Sequence, residues 1–180
     1  MLTLDLKKEL KPLFTPSAKA VQVVDVPKFK FIMVDGEIEP GHGPGNSPRF
    51  DGDLQAMYGA AYTLKFACKL RKENPIDYPV MALEGLWWTT SGAYDVANPE
   101  DWHYSLMILV PELITAEMFA TALAALRKKK PNPAIERLRL EEFEEGRCIQ
   151  VMHVGPYSEE PRTLKMMDEY AARCGLRMRG

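Results

Sequence analysis

An internal repeat constrains the fold of this chain more than any other feature of its sequence. Phe31-Ile32-Met33-Val34-Asp35-Gly36 has a counterpart in Gln150-Val151-Met152-His153-Val154-Gly155, and Thr63-Leu64-Lys65-Phe66 has one in Thr163-Leu164-Lys165-Met166. In both places an apolar, strand-like run is followed by a loop and then by a helical pattern. A Gly/Pro-rich insertion in the first copy explains the unequal spacing. The expected product is an α+β fold of two strand-helix-strand-strand modules that share a sheet and a central cleft.

Local patterns supply the elements. Ala20 to Val26 and Lys28 to Gly36 read as two strands separated at Pro27, because proline cannot donate to a ladder. Gly36 to Pro48 resembles a phosphate-binding glycine loop only superficially. Asn46 stands at the third glycine position and no helix starts on time, so a flexible loop over a site is the expectation. Leu54, Met57, Tyr58, Ala61, Leu64 and Cys68 recur at three and four, which predicts a helix from about Phe50 to Lys72 that stops before Asn74-Pro75. Tyr62 and Phe66 lie on a neighbouring stripe that either widens the buried face or looks into a cleft.

Strands are predicted over Pro79 to Thr90 and Trp102 to Pro111, and a helix over Thr115 to Lys130 with Thr115 as its N-cap. Two more strands, Arg137 to Phe143 and Arg147 to His153, are expected around an acidic turn at Glu144, Glu145 and Gly146. A third helix, Ser158 to Arg173, ends at a Gly175 cap.

Composition removes several classes of function. With 180 residues, 46% hydrophobic and 27% charged, the chain is an ordinary globular protein with one substantial core. A formal charge of -2 supplies no field for nucleic acid, and the basic run Arg127 to Lys130 complements a helix C-terminus. No apolar stretch reaches the roughly 20 residues that span a bilayer, and Met1 to Lys11 lacks a signal-peptide core, so a cytoplasmic protein without a membrane partner is expected. Cys68, Cys148 and Cys174 form no CxxC pair, and His42, His103 and His153 show no ligand spacing. Neither a disulfide framework, a metal site, a cofactor nor thiol catalysis is therefore predicted.

The run Leu83-Glu84-Gly85-Leu86-Trp87-Trp88 carries the functional signal. A carboxylate beside indoles is how proteins hold flat or cationic organic molecules: the acid supplies charge, and an indole face attracts a cation by about 0.5–2 kcal/mol. Adjacent tryptophans on a strand point to opposite faces, however, so one can fill the core while Glu84 is a solvated rim residue.

Together with the Tyr62 to Phe66 helix segment and the turn His153-Val154-Gly155-Pro156-Tyr157-Ser158-Glu159-Glu160-Pro161, this run resembles the GyrI-like small-molecule-binding family, from about Pro27 to the end. It is closest to the stand-alone branch with the double tryptophan, which includes hydrolases of cyclopropanoid DNA-alkylating natural products. The resemblance implies a single domain over 1–180, with halves of about 20–130 and 131–180 related by pseudo-twofold symmetry around a ligand cleft. In the family, a further strand with a cleft glutamate follows the last helix, where this chain reaches Gly180.

Tyr62, Glu84, Trp87, Trp88 and Tyr157 carry over as pocket candidates, with Tyr104 and His153 as weaker ones. Tyr157 either aims its hydroxyl into the cleft or caps the core. Two functions follow: binding of a planar aromatic or cationic xenobiotic in detoxification or drug sequestration, and metal-independent hydrolysis of a strained cyclopropane. In the second, Glu84 directs water and Tyr157 or His153 supports charge on a carbonyl oxygen. The oligomeric state is not legible.

Overall fold

A computed structural model of the chain describes residues 2–92 and 99–177, and within them the fold is α+β. The strands are β1 (Leu2–Thr3), β2 (Gln22–Glu37), β3 (Ile76–Asp77), β4 (Leu83–Thr89), β5 (Trp102–Val110) and β6 (Arg139–Gln150). The helices are α1 (Leu6–Glu9), α2 (Lys11–Phe14), α3 (Pro48–Lys69), α4 (Ala116–Lys129) and α5 (Glu160–Arg173). Strand then helix occurs twice, as β2 with α3 and as β6 with α5, and the first copy continues into β4 and β5.

Helix ends follow local chemistry. The Ser47 side chain accepts the Phe50 N–H at 3.1 Å, and Pro48 occupies the first turn, where its missing donor costs nothing, so α3 starts two residues before the position that periodicity suggested. Thr115 caps α4 by accepting the Met118 N–H at 3.2 Å, and Arg127, Lys128 and Lys129 fill its last turn. Past α5, Gly175 takes a positive φ of 65°, while Leu176 N–H reaches Ala171 O at 2.9 Å and closes the helix in a Schellman turn.

Two strand boundaries differ from the sequence reading. Pro27 does not divide β2, because it precedes the stretch Lys30–Glu37 that pairs with β5 and so withholds no donor from that ladder. Gly146 does not end β6 either; glycine absorbs the turn signal as one residue with φ of 74° inside a continuous strand. The glycine-rich connection after β2 is pinned. Ser47 is buried and donates to the Glu39 carboxylate, which also accepts Arg49 N–H at 3.1 Å, and Asn46 accepts Gly43 N–H at 2.6 Å. Part of the connection between β4 and β5 lies outside the described residues.

The chain forms two compact units. One comprises the N-terminal residues through Leu6 with Phe29–Phe143, and the other comprises Lys7–Lys28 with the residues from Glu144 onward. A four-stranded sheet has the order β4-β5-β2-β6, and β1 and β3 form a separate parallel pair. Within the first unit, the antiparallel register aligns Leu83 with Ile108 and Ile32, and Trp87 with Tyr104 and Gly36. These residues belong to the face that packs on α3 and α4, where Ile32, Val34, Leu106 and Ile108 meet Met57, Leu64, Phe119 and Leu123 in the core.

Gly36 is required here: a Cβ at this position would lie 2.3 Å from the Tyr104 ring. In the second unit, Met152 N–H bonds Ser17 O at 2.9 Å and Gln150 Nε2 bonds Pro12 O at 3.0 Å, which ties the N-terminal segment to the chain leaving β6.

Candidate functional site

Alternation along β4 separates the two indoles. Trp87 faces the helices, with ring centroids 5.7 Å from Phe50, 5.6 Å from Trp102 and 5.4 Å from Tyr104. Trp88 faces the other way and remains 39% exposed. Its indole lies nearly parallel to the His103 ring, at 5.9 Å and 17°. His103 is its register partner on β5, and the imidazole Nε2 lies 3.9 Å from Asp101. Hydrogen bonds from Thr90 and Ser91 hold the Asp101 carboxyl far below the usual carboxylate range.

Glu84 shares the face of Trp88. The register places it beside Met107 and Met33, both buried on the side away from the main core, and its Oε1 is sealed from solvent. The next row contains Leu86, Ser105 and Asp35, and the row after it Trp88, His103 and Glu37. One apolar row thus carries a carboxylate, and the rows beyond it become polar.

Asp35 is the centre of that polar region. Ser105 Oγ donates to Asp35 Oδ1, and Arg139 Nη2 donates to the same oxygen at 2.9 Å. Arg139 Nε donates to Glu141 at 2.6 Å. Partial burial raises the Asp35 pKa, but the Ser105 hydroxyl and the Arg139 guanidinium outweigh it and hold the carboxyl below its ordinary value. Arg139 is shifted upward: burial disfavours its charge, and the two carboxylates more than compensate. The neighbouring Arg137 serves the opposite face, where it pairs with the fully buried Asp53, which also accepts the Tyr104 hydroxyl at 2.9 Å.

The sequence candidates therefore divide. Glu84 and Trp88 lie on one face, four residues apart on β4. Trp87 and Tyr104 lie in the core against α3, where Tyr104 is fully buried. Tyr62 is 49% exposed and follows the outer stripe of α3 with Phe66. His153 and Tyr157 belong to the second unit. His153 Nε2 lies 3.1 Å from Pro156 O, which can only accept, and Nδ1 lies 2.8 Å from the Thr163 hydroxyl. The Tyr157 side chain is 80% exposed.

Asp35, Ser105 and Arg139 were not singled out from sequence. The available signal was the alternation that places Asp35 on the face opposite Val34, but its partner is 104 residues away. Among the described residues, no three His, Cys, Asp or Glu side chains converge to hold a metal ion.

No curated protein shows significant similarity to the chain. Three crystal structures from Listeria innocua superpose on 97% of it. An uncharacterized conserved protein is 35% identical, with a TM-score of 0.85 over 83% of its own length. A hydrolase is 33% identical, with a TM-score of 0.80 over 86% of its length, and a hydrolase encoded by lin2189 is 34% identical, with a TM-score of 0.83 over 83%. The profile of the GyrI-like small molecule binding domain matches residues 19–180, and the chain belongs to that family.

Proposed function

We propose that the chain binds a planar aromatic cation on the β4-β5-β2 face that presents Glu84 and Trp88, and that it acts in sequestration or detoxification of such compounds in the cytoplasm. One observation carries this reading: a carboxylate with an oxygen sealed from solvent sits on a methionine floor, on the same face as an exposed indole. A carboxylate partly withdrawn from water beside an indole favours a ligand that brings positive charge and a flat surface together. The free face of Trp88, opposite His103, offers stacking and quadrupole attraction.

Titration with aminoacridine, followed by tryptophan fluorescence and calorimetry, tests the reading. Glu84→Gln keeps the side-chain volume and removes the charge, so binding weakens by about 1–3 kcal/mol while folding stability is equal or higher. Unchanged affinity in this variant removes Glu84 from the site.

Hydrolysis is the second reading, favoured by the two Listeria innocua relatives described as hydrolases. A carboxylate such as Glu84 takes a proton from water as the oxygen attacks the strained cyclopropane carbon. The electrons of the breaking ring bond pass to the conjugated carbonyl oxygen, where a donor meets the developing charge. Mass analysis of a cyclopropanoid alkylator after incubation distinguishes the readings: a binder returns it intact, whereas a hydrolase returns the water adduct.

A further inference from the structure

We propose that Arg139 is a second recognition point on the same face, and that the ligand carries a neutral carbonyl or amide oxygen in addition to its cationic, planar part; this rests on the binding reading above. A guanidinium has five N–H donors in a rigid fork. Two are used here, Nε on Glu141 and one on Nη2 toward Asp35, and Nη1 has no partner among the described residues. The two carboxylates hold the fork in place, so its remaining donors are presented without a further ordering cost.

The charge around Arg139 selects the kind of acceptor. Asp35 and Glu141 both contact the guanidinium, so its positive charge is met by two carboxylates at once. Arg137, whose charge also reaches Asp35, is itself paired with the buried Asp53, and Glu37 is paired with Arg49 at 2.8 Å. An anionic ligand would enter a negative field, whereas a neutral oxygen accepts from Arg139 without that repulsion. Glu84 and Asp35 are two strands and one row apart, which corresponds to roughly 12 Å between their backbones, about the length of a tricyclic aromatic.

Three probes test the assignment by calorimetry: aminoacridine, a planar cation without a carbonyl; N-aminopropylacridone, which adds a ring carbonyl; and N-carboxymethylacridone, which replaces the ammonium with an anion. Arg139→Met weakens N-aminopropylacridone by about tenfold or more, the value of a hydrogen bond to a charged group, and leaves aminoacridine unchanged. N-carboxymethylacridone binds wild type more weakly than N-aminopropylacridone. A measurement on wild type needs no variant: the infrared carbonyl stretch of bound N-aminopropylacridone falls below its value in an apolar solvent.

Equal effects of Arg139→Met on both cations, an unshifted carbonyl stretch, or anion binding as tight as cation binding overturns the assignment while the binding reading stands. Failure of all three probes to bind wild type overturns both.

Discussion

Trp87 and Trp88 are chemically identical neighbours with different tasks, because a strand sends successive side chains to opposite faces. Trp87 is enclosed by Phe50, Trp102 and Tyr104, so Trp87→Ala removes a large core side chain and is expected to cost about 3–5 kcal/mol in urea denaturation. Trp88 packs on His103 with its outer surface exposed. Trp88→Ala is expected to lose less than about 1 kcal/mol of stability, and it removes most of the ligand-induced fluorescence change. Equal stability losses in the two variants would contradict this division. The alternation was legible in the sequence, but which indole faced the core was not, since that depends on which face α3 covers.

At the scale of elements, β2 and β5 meet α3 through an unusually close approach. The Tyr104 ring crosses directly over Gly36, and its hydroxyl is anchored to Asp53 on α3. Gly36→Ala places a methyl group in the ring and forces strand and ring apart, with an expected loss of about 1–3 kcal/mol by chemical denaturation. Binding of aminoacridine should survive, because the displaced atoms lie on the face away from Glu84. Helices α3, α4 and α5 were readable because caps and apolar periodicity act within a few residues. The boundaries at Pro27 and Gly146 were not. Whether a proline or glycine ends a strand depends on whether its partner strand needs that donor or tolerates that φ, and the partner lies far away in sequence.

At the scale of the molecule, ion pairing sets the pH range of stability. Asp35 is held below its ordinary value, against the opposing effect of burial, by Ser105 and Arg139, and Asp77 by Lys69 and Lys65. For both, the folded value lies below the unfolded one, so the unfolded chain binds more protons as pH falls past about 4. The stabilisation is present above that pH and is lost as pH falls through the depressed folded values. The Tyr78 and Tyr104 phenols are shifted upward, chiefly by burial, so their contribution is present below about pH 10 and is lost as pH rises from there. Urea midpoints measured from pH 2 to 11 should fall at both ends, and Asp77→Asn should flatten the acid limb; an unchanged limb would show that the pairs with Lys65 and Lys69 do not carry it.

By itself the sequence determined the α+β class, the three long helices with the caps at Thr115 and Gly175, the family, and the presence of a carboxylate beside paired indoles, because each of these is written in short local patterns along the chain. Only the tertiary structure decided that the face of Glu84 and Trp88 is the one turned away from α3 while Trp87 and Tyr104 turn to the core, and that Arg139 meets Asp35 from 104 residues away. Strand register and the choice of covered face are set by packing between distant segments, and such packing leaves no local pattern to read.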